Sequence, residues 1–255
     1  MKAKELIKRN FCAHAEYYDK YSSIQDICAL KLIDKIKMDN FSKILDIGCG
    51  TGNYTKILRN RFPNAKIEAL DISREMIDIA RRKLRFKQIE FIIKDAEAID
   101  SKELFDLITS NASFQWFEDL EKALLKYSSL LIKDGVISFS IFGPGTFTEL
   151  NASLRELYGQ EISITSCKFP EKIRIEEILK RAFKKNIVEE EIFKEEYGCL
   201  LELLSKIKYT GIRGNGVLGR SLWTRRGIDK LEEIYRGKFN RIVATYQIYY
   251  CQAIK

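Results

Sequence analysis

The stretch Lys43-Ile-Leu-Asp-Ile-Gly-Cys-Gly-Thr-Gly52 runs a short apolar segment straight into three alternating glycines, and it constrains the fold more than any other part of the chain. Such a pattern reads as a buried strand that empties into a tight turn opening a helix. Glycine is needed in that turn for two physical reasons: positive φ carries no steric cost without a Cβ, and a bare backbone lets a ligand approach closely. The spacing then narrows the ligand. A dinucleotide cradle reads G-x-G-x-x-G, its third glycine opening the helix below a pyrophosphate. Here Asn53 stands at that place, and the pattern is G-x-G-x-G led by Asp46. A carboxylate beside the loop repels a pyrophosphate and favours a cationic ligand.

S-adenosyl-L-methionine (SAM) is such a cation, and Asp46 to Gly52 resembles the first motif of class I SAM-dependent methyltransferases. Three further strand ends follow at suitable distances. Lys66-Ile-Glu-Ala-Leu-Asp-Ile72 ends in Asp71, about 20 residues after the loop, where a carboxylate can take both ribose hydroxyls. Ile89-Glu-Phe-Ile-Ile-Lys-Asp-Ala96 ends in Asp95, placed to accept from an adenine amino group, and a dinucleotide-binding domain has no standard use for that third acid. Phe105-Asp-Leu-Ile-Thr-Ser-Asn-Ala112 ends in Asn111, where the methyltransferases place a residue near the methionine moiety. Singly, each acid is equally well explained as a solvated strand end or a helix N-cap; in order at successive strand ends, they outweigh that explanation. The expected cofactor set is Asp46, Gly48, Gly50, Gly52, Asp71, Ile72, Met76, Asp95, Ala96 and Asn111.

At 255 residues the chain suits one decorated α/β domain. Apolar cores at 43 to 48, 66 to 71, 90 to 94, 105 to 109 and 136 to 142 alternate with amphipathic segments such as Ser73 to Arg85 and Leu120 to Ile132. Ser73 reads as an N-cap, and Lys133-Asp-Gly135 as a glycine stop. Residues 11 to about 37 read as helical, with Ile27, Leu30, Ile33 and Ile36 at helix spacing. After Ile141 come helix-like segments to Tyr158 and from Arg174 to Phe183, then a strand near Ile187 to Phe193. A second interruption, Cys199 to Phe239, holds helix-like Leu200 to Lys208 and Arg226 to Tyr235 before a final antiparallel strand over Arg241 to Cys251. The expected fold is α/β: a doubly wound, seven-stranded, mostly parallel, Rossmann-like sheet, with helical insertions after strand five and before the last strand. Within this single domain, residues 1–40 form a helical lid, 41–142 the SAM-binding core, and 143–170 and 199–240 substrate-side insertions that roof the strand ends.

The first ten residues are charged throughout, and no apolar run approaches the ~20 residues of a membrane span, so a cytoplasmic protein without membrane association is expected. Cys12, Cys28, Cys49, Cys167, Cys199 and Cys251 form no C-x-x-C pair, so neither zinc nor a disulfide framework is signalled. The net charge of +8 favours an acidic partner without choosing one, and charge-rich composition is also a common background habit.

Beyond the shared motifs, the chain resembles the malonyl-acyl-carrier-protein O-methyltransferases of biotin synthesis. The resemblance rests on Phe105 to Trp116, on Phe139-Ser-Ile-Phe-Gly-Pro-Gly-Thr-Phe-Thr-Glu-Leu150, on Ile207 to Ile212 with Leu222-Trp-Thr-Arg225, and on Tyr17-Tyr18-Asp19 and Thr245 to Tyr249. The chain departs from the family pattern at Trp223 and across Gly214 to Gly219. The resemblance implies methylation of the free carboxylate of a malonyl thioester on an acyl carrier protein, or on malonyl-CoA, to give the ester that primes pimeloyl formation. It implies a positioning set of Tyr18, Gln115, Trp116 and Arg225 with no general base, since a half-acid is already ionised at neutral pH. Tyr17 and Phe142 suit the pocket wall, and Arg213, Arg220 and Arg226 are further candidates for the substrate carboxylate. His14, the only histidine, reads as structural, exposed or part of an aromatic lid. An acidic carrier protein would suit docking groups at Lys206, Lys208, Arg213 and Arg220. Two other readings stay open: methylation of another small carboxylic acid or of RNA, although no added nucleic-acid module is evident, and a non-catalytic SAM-binding protein.

Overall fold

The structure is a computed structural model that describes residues 3–85, 88–210 and 224–255. Its sheet is built from β1 (Lys43–Ile47), β2 (Lys66–Asp71), β3 (Ile89–Ile93), β4 (Phe105–Asn111), β5 (Leu131–Phe142), β6 (Lys185–Tyr197) and β7 (Ile242–Ile254), in the order β3-β2-β1-β4-β5-β7-β6. The first five strands pair in parallel, and β7 runs antiparallel to both β5 and β6. The doubly wound, mostly parallel fold expected from the sequence is therefore present.

Period-two alternation explains why both faces are apolar. Ile44 and Leu107 enter a core shared with helices α2 (Ser23–Lys35), α3 (Asn53–Arg61), α6 (Thr148–Tyr158), α8 (Leu200–Tyr209) and α9 (Arg225–Phe239). Their neighbours Leu45 and Ile108 enter the opposite core, under α5 (Leu120–Leu130) and α7 (Lys172–Ala182). Parallel strands covered on both sides read as continuous apolar runs for this reason. Helix α1 (Ala3–Tyr21) lies over α4 (Arg74–Lys83), with Ala15 packed beside Met76 and Ile79.

The amino-terminal helical segment is divided in two: one helix starts at Ala3 and takes in the charged first residues, and Ser22 separates it from a second. In α2 the buried face is Ile24, Cys28, Leu32 and Ile33, while Ile27 and Leu30 face outward. The glycine stop at Lys133-Asp-Gly135 is corrected. Helix α5 ends at Leu130, and β5 begins at once. Leu131 pairs with Phe105 and Val136 with Leu107, so residues 132–135 bulge from the ladder, with Asp134 at a φ of 60°.

Candidate active site

The strand order reverses between β1 and β4, and a crevice opens beyond the carboxyl ends of the strands at that switch point. Asp95 after β3, Asp71 ending β2, Gly48 and Gly50 after β1, Asn111 ending β4 and Phe142 ending β5 follow one another along it. At about 4.8 Å per strand the distance from β3 to β4 is roughly 14 Å, close to the length of an extended adenosyl amino acid. The cleft holds about 840 Å³, solvent at its mouth included. Gly48, Gly50, Asp71, Ile72, Met76, Asp95, Ala96 and Asn111 all line it, as do Tyr18, Gln115 and Trp116.

The glycine loop is fixed to β2 from two sides. Gly48 and Cys49 donate backbone N–H groups to Leu70 O at 2.8 and 3.0 Å, and Gly50 N donates to Asp71 Oδ2 at 3.0 Å. A Cβ on Gly48 would lie 2.1 Å from Ser113 Oγ, and its φ of +68° already excludes most side chains. Gly50, at φ +54°, has no atom within 4 Å of the place its Cβ would take, which leaves open space against the cleft. Ser73 N donates to the other Asp71 oxygen at 2.8 Å, and Ser73 Oγ caps α4 by accepting from Met76 N, as the sequence predicts. Burial raises the Asp71 pKa, with the backbone N–H groups of Ser73, Gly50 and Ile72 acting to lower it.

Asp46 and Gly52 sit elsewhere than a direct contact requires. Gly52 closes the start of α3 outside the cleft lining. Asp46 shares the Ile44 face of β1, so its fully buried carboxylate points under α3, where Thr55 Oγ1 donates to Oδ2 at 2.6 Å. Its expected contact with a cation is therefore corrected to a place behind the loop. Burial pushes this carboxyl from 3.8 up to about 7. The folded state thus holds a proton that the unfolded chain releases, so stability falls as pH rises from about 4 to about 7 and levels off above. Asp46→Asn should remove that slope, stabilising the fold by roughly 1–4 kcal/mol at pH 8 and by nothing near pH 3. Urea denaturation at the two pH values checks this; equal effects at both would contradict it.

At the far end, Asp95 caps a short turn by accepting from Glu97 N at 3.0 Å, and Lys4 Nζ lies 2.6 Å from its other oxygen and 2.5 Å from Glu97. At the near end Asn111 Nδ2 donates to Gln25 O at 2.9 Å and Oδ1 accepts from Ser140 Oγ at 2.7 Å, tying α2 to β4 and β5. The Trp116 ring stands edge-on to Phe11 at 6.1 Å and to Phe169 at 5.3 Å. Burial raises the Tyr18 pKa, which keeps its phenol a neutral hydrogen-bond donor. Lys4, Ile7, Phe11 and Gln25 also line the cleft and were missed by the sequence reading. The first three share a face with Tyr18 at helix spacing, a signal the sequence does carry.

Other expected site residues lie apart. Tyr17 is exposed and packs on Tyr209 at 5.2 Å, as does His14, and neither is among the lining residues. Arg225 and Arg226 are exposed at the start of α9, also away from the lining. Arg213, Arg220, Trp223 and the run Gly214 to Gly219 lie outside the described residues. Lys206 is corrected as a docking group: it is buried against Glu195, with Nζ 2.5 Å from Ser23 Oγ. Lys208 is exposed.

The segment Gly143-Pro-Gly-Thr146 forms a clasp onto β7 and contributes no lining residue beyond the preceding Phe142. Gly143 N donates to Gln247 O at 2.9 Å, Gly145 N to Gln247 Oε1 at 2.6 Å, and Phe147 N to Thr245 O at 2.7 Å. Glu149 accepts from Thr245 N at 3.0 Å and from Thr245 Oγ1. A Cβ on Gly143 would fall 2.5 Å from Gln247 Oε1, so close packing on β7 accounts for the glycine.

Comparison with known proteins agrees with this geometry. The family described as "Methyltransferase domain" matches residues 44–135. Malonyl-[acyl-carrier protein] O-methyltransferase 2 of Ilyobacter polytropus is 36% identical over 256 positions, covering 97% of this chain and 91% of the relative. The malonyl-[acyl-carrier protein] O-methyltransferase of a Paenibacillus species is 32% identical over 265 positions, covering 96% of each. Among solved structures, phosphoethanolamine N-methyltransferase 2 of Haemonchus contortus, in complex with S-adenosyl-L-methionine, has the same fold. Its TM-score is 0.63 at 17% identity, over 99% of this chain and 60% of that one. With the strand-end acids on one cleft and a relative similar along nearly its whole length, the chain belongs to the malonyl-[acyl-carrier protein] O-methyltransferase family, within the class I SAM-dependent methyltransferases.

Proposed function

We propose that this enzyme methylates the free carboxylate of a malonyl group carried as a thioester on an acyl carrier protein. The methyl donor is S-adenosyl-L-methionine, which supplies an electrophilic sulfonium methyl when bound. The residues present fit it: Gly50 leaves room against the backbone, Asp71 and Asp95 present carboxylates, and the buried Oε1 atoms of Gln25 and Gln115 lack partners in a cleft suited to a cation. Asp95 with Ala96 would hold the adenine, Asp71 the ribose hydroxyls, and Gly48 with Asn111 the amino-acid end.

The observation that carries the acceptor assignment is the set of aromatic side chains lining the cleft, Phe11, Tyr18, Trp116 and Phe142, with the only histidine outside that lining. A malonyl carboxylate is ionised at neutral pH and needs no base. The protein's work is to exclude water and hold an oxygen in line with the methyl. A carbon–oxygen bond forms as the carbon–sulfur bond breaks, and no proton moves. Tyr18 can donate to the acceptor, and Gln115, whose Nε2 gives one N–H to Ala112 O at 2.6 Å, keeps a second N–H.

No helix among the described residues is long and apolar enough to cross a membrane, and the enzyme is read as acting in the cytoplasm on a carrier-bound substrate. The +8 charge suits an acidic carrier protein. The test is to offer methyl-labelled donor with malonyl carrier protein, acetyl carrier protein, malonyl-CoA or bulk RNA. Label should pass to the malonyl thioesters and not to acetyl carrier protein, which has no free carboxylate. Label on RNA instead would overturn the reading.

A further inference from the structure

We infer that Gln25 is a positioning residue for the methyl donor, its amide oxygen accepting a hydrogen bond from the donor's α-ammonium group. This rests on the SAM reading of the cleft and adds to it a residue that the glycine loop and the strand-end acids do not include.

Gln25 stands in the first turn of α2, and only 6% of its surface is exposed, yet it lines the cleft. Its Oε1 is buried and has no hydrogen-bond partner. Buried polar atoms are nearly always satisfied, so an orphan on a residue that lines a ligand cleft marks a partner that the ligand brings. The missing partner must be a donor, because the orphan atom is an acceptor. The backbone of Gln25 is anchored at this end of the cleft: Asn111 Nδ2 donates to its carbonyl at 2.9 Å. Asn111 closes β4, the strand beside β1 and the glycine loop, at the opposite end of the cleft from Asp95.

Position along the cleft then selects the donor group. With the adenine at β3 and the ribose at β2, the part of the donor reaching the β1 and β4 ends is its amino acid. That part offers one strong hydrogen-bond donor, the α-ammonium; its carboxylate is an acceptor and would face Oε1 unfavourably. Gln115 Oε1, also buried and unpartnered in the same cleft, is fixed as an acceptor by the bond from its Nε2 to Ala112 O. A second acceptor keeps this end of the cleft favourable to positive charge.

The test uses calorimetry on the full chain with three probes: S-adenosylhomocysteine, its analogue without the α-amino group, and its analogue without the α-carboxylate. Gln25→Leu should weaken S-adenosylhomocysteine and the decarboxylated analogue by roughly tenfold to a hundredfold and leave the deaminated analogue unchanged. Gln25→Glu, which keeps an acceptor in place, should bind S-adenosylhomocysteine at least as well as the parent. The unliganded Gln25→Leu variant should melt no lower than the parent, because an unsatisfied buried atom has been removed. An equal loss for the deaminated analogue, or no loss for S-adenosylhomocysteine, would overturn the assignment. Failure of the parent protein to bind S-adenosylhomocysteine at all would instead overturn the SAM reading beneath it.

Discussion

Asp71→Ala is expected to weaken donor binding by roughly 1.5–3 kcal/mol, about tenfold to over a hundredfold in Kd. The carboxylate ends β2 at the edge of the cleft and already holds the glycine loop through Gly50 N and the start of α4 through Ser73 N. Alanine therefore removes acceptors for both ribose hydroxyls and releases Gly50 from its 3.0 Å tether. Both losses fall on the donor, so the KM for SAM should rise more than kcat falls at saturating donor. Calorimetry with S-adenosylhomocysteine measures the first effect directly. An affinity unchanged from the parent would show that this carboxylate does not carry the ribose.

The second large effect is on stability. Glu149→Ala should cost about 2–4 kcal/mol, because it strips two bonds from a buried carboxylate and leaves Thr245 N without an acceptor inside the core. For a chain of this size each kcal/mol moves Tm by roughly 2–4 °C, so a fall of about 5–15 °C is expected. Glu149→Gln keeps an oxygen for Thr245 N and can donate its amide to Thr245 Oγ1, so it should lose much less. The contrast matters because the Gly143 to Leu150 stretch carries much of the family resemblance while providing no lining residue of the cleft. If Glu149→Ala melts like the parent but loses its preference among acceptors, the stretch acts on substrate and the clasp is incidental.

Much of the site was legible from strand ends alone. A β-strand that stops at a switch point must present its terminal side chain to the crevice, which is why Asp71, Asp95 and Asn111 could be placed by counting. Asp46 was misplaced for a reason the same rule contains: it shares a face with Ile44, two residues back, and that face is covered by α3. Other residues needed the tertiary fold. Lys206 looks like any surface lysine until α8 docks and buries it against Glu195, beside the Tyr197 and Tyr246 rings. Gln25 is an ordinary residue in a helical stretch, and only the packing of α2 on Asn111 turns it toward the cleft. Helix α1 lies between these cases. Lys4, Ile7, Phe11 and Tyr18 repeat at helical spacing, but the charges among the first ten residues mask that stripe.

The central claim is that a malonyl carboxylate receives the methyl group, and mass spectrometry of malonyl carrier protein after incubation with enzyme and SAM tests it most directly. The account predicts a gain of one methyl group on the carrier-bound acyl chain, reversed by mild base with release of methanol, as an ester requires. A methyl group that survives base, or one found on the carrier polypeptide and not on its acyl chain, would contradict it.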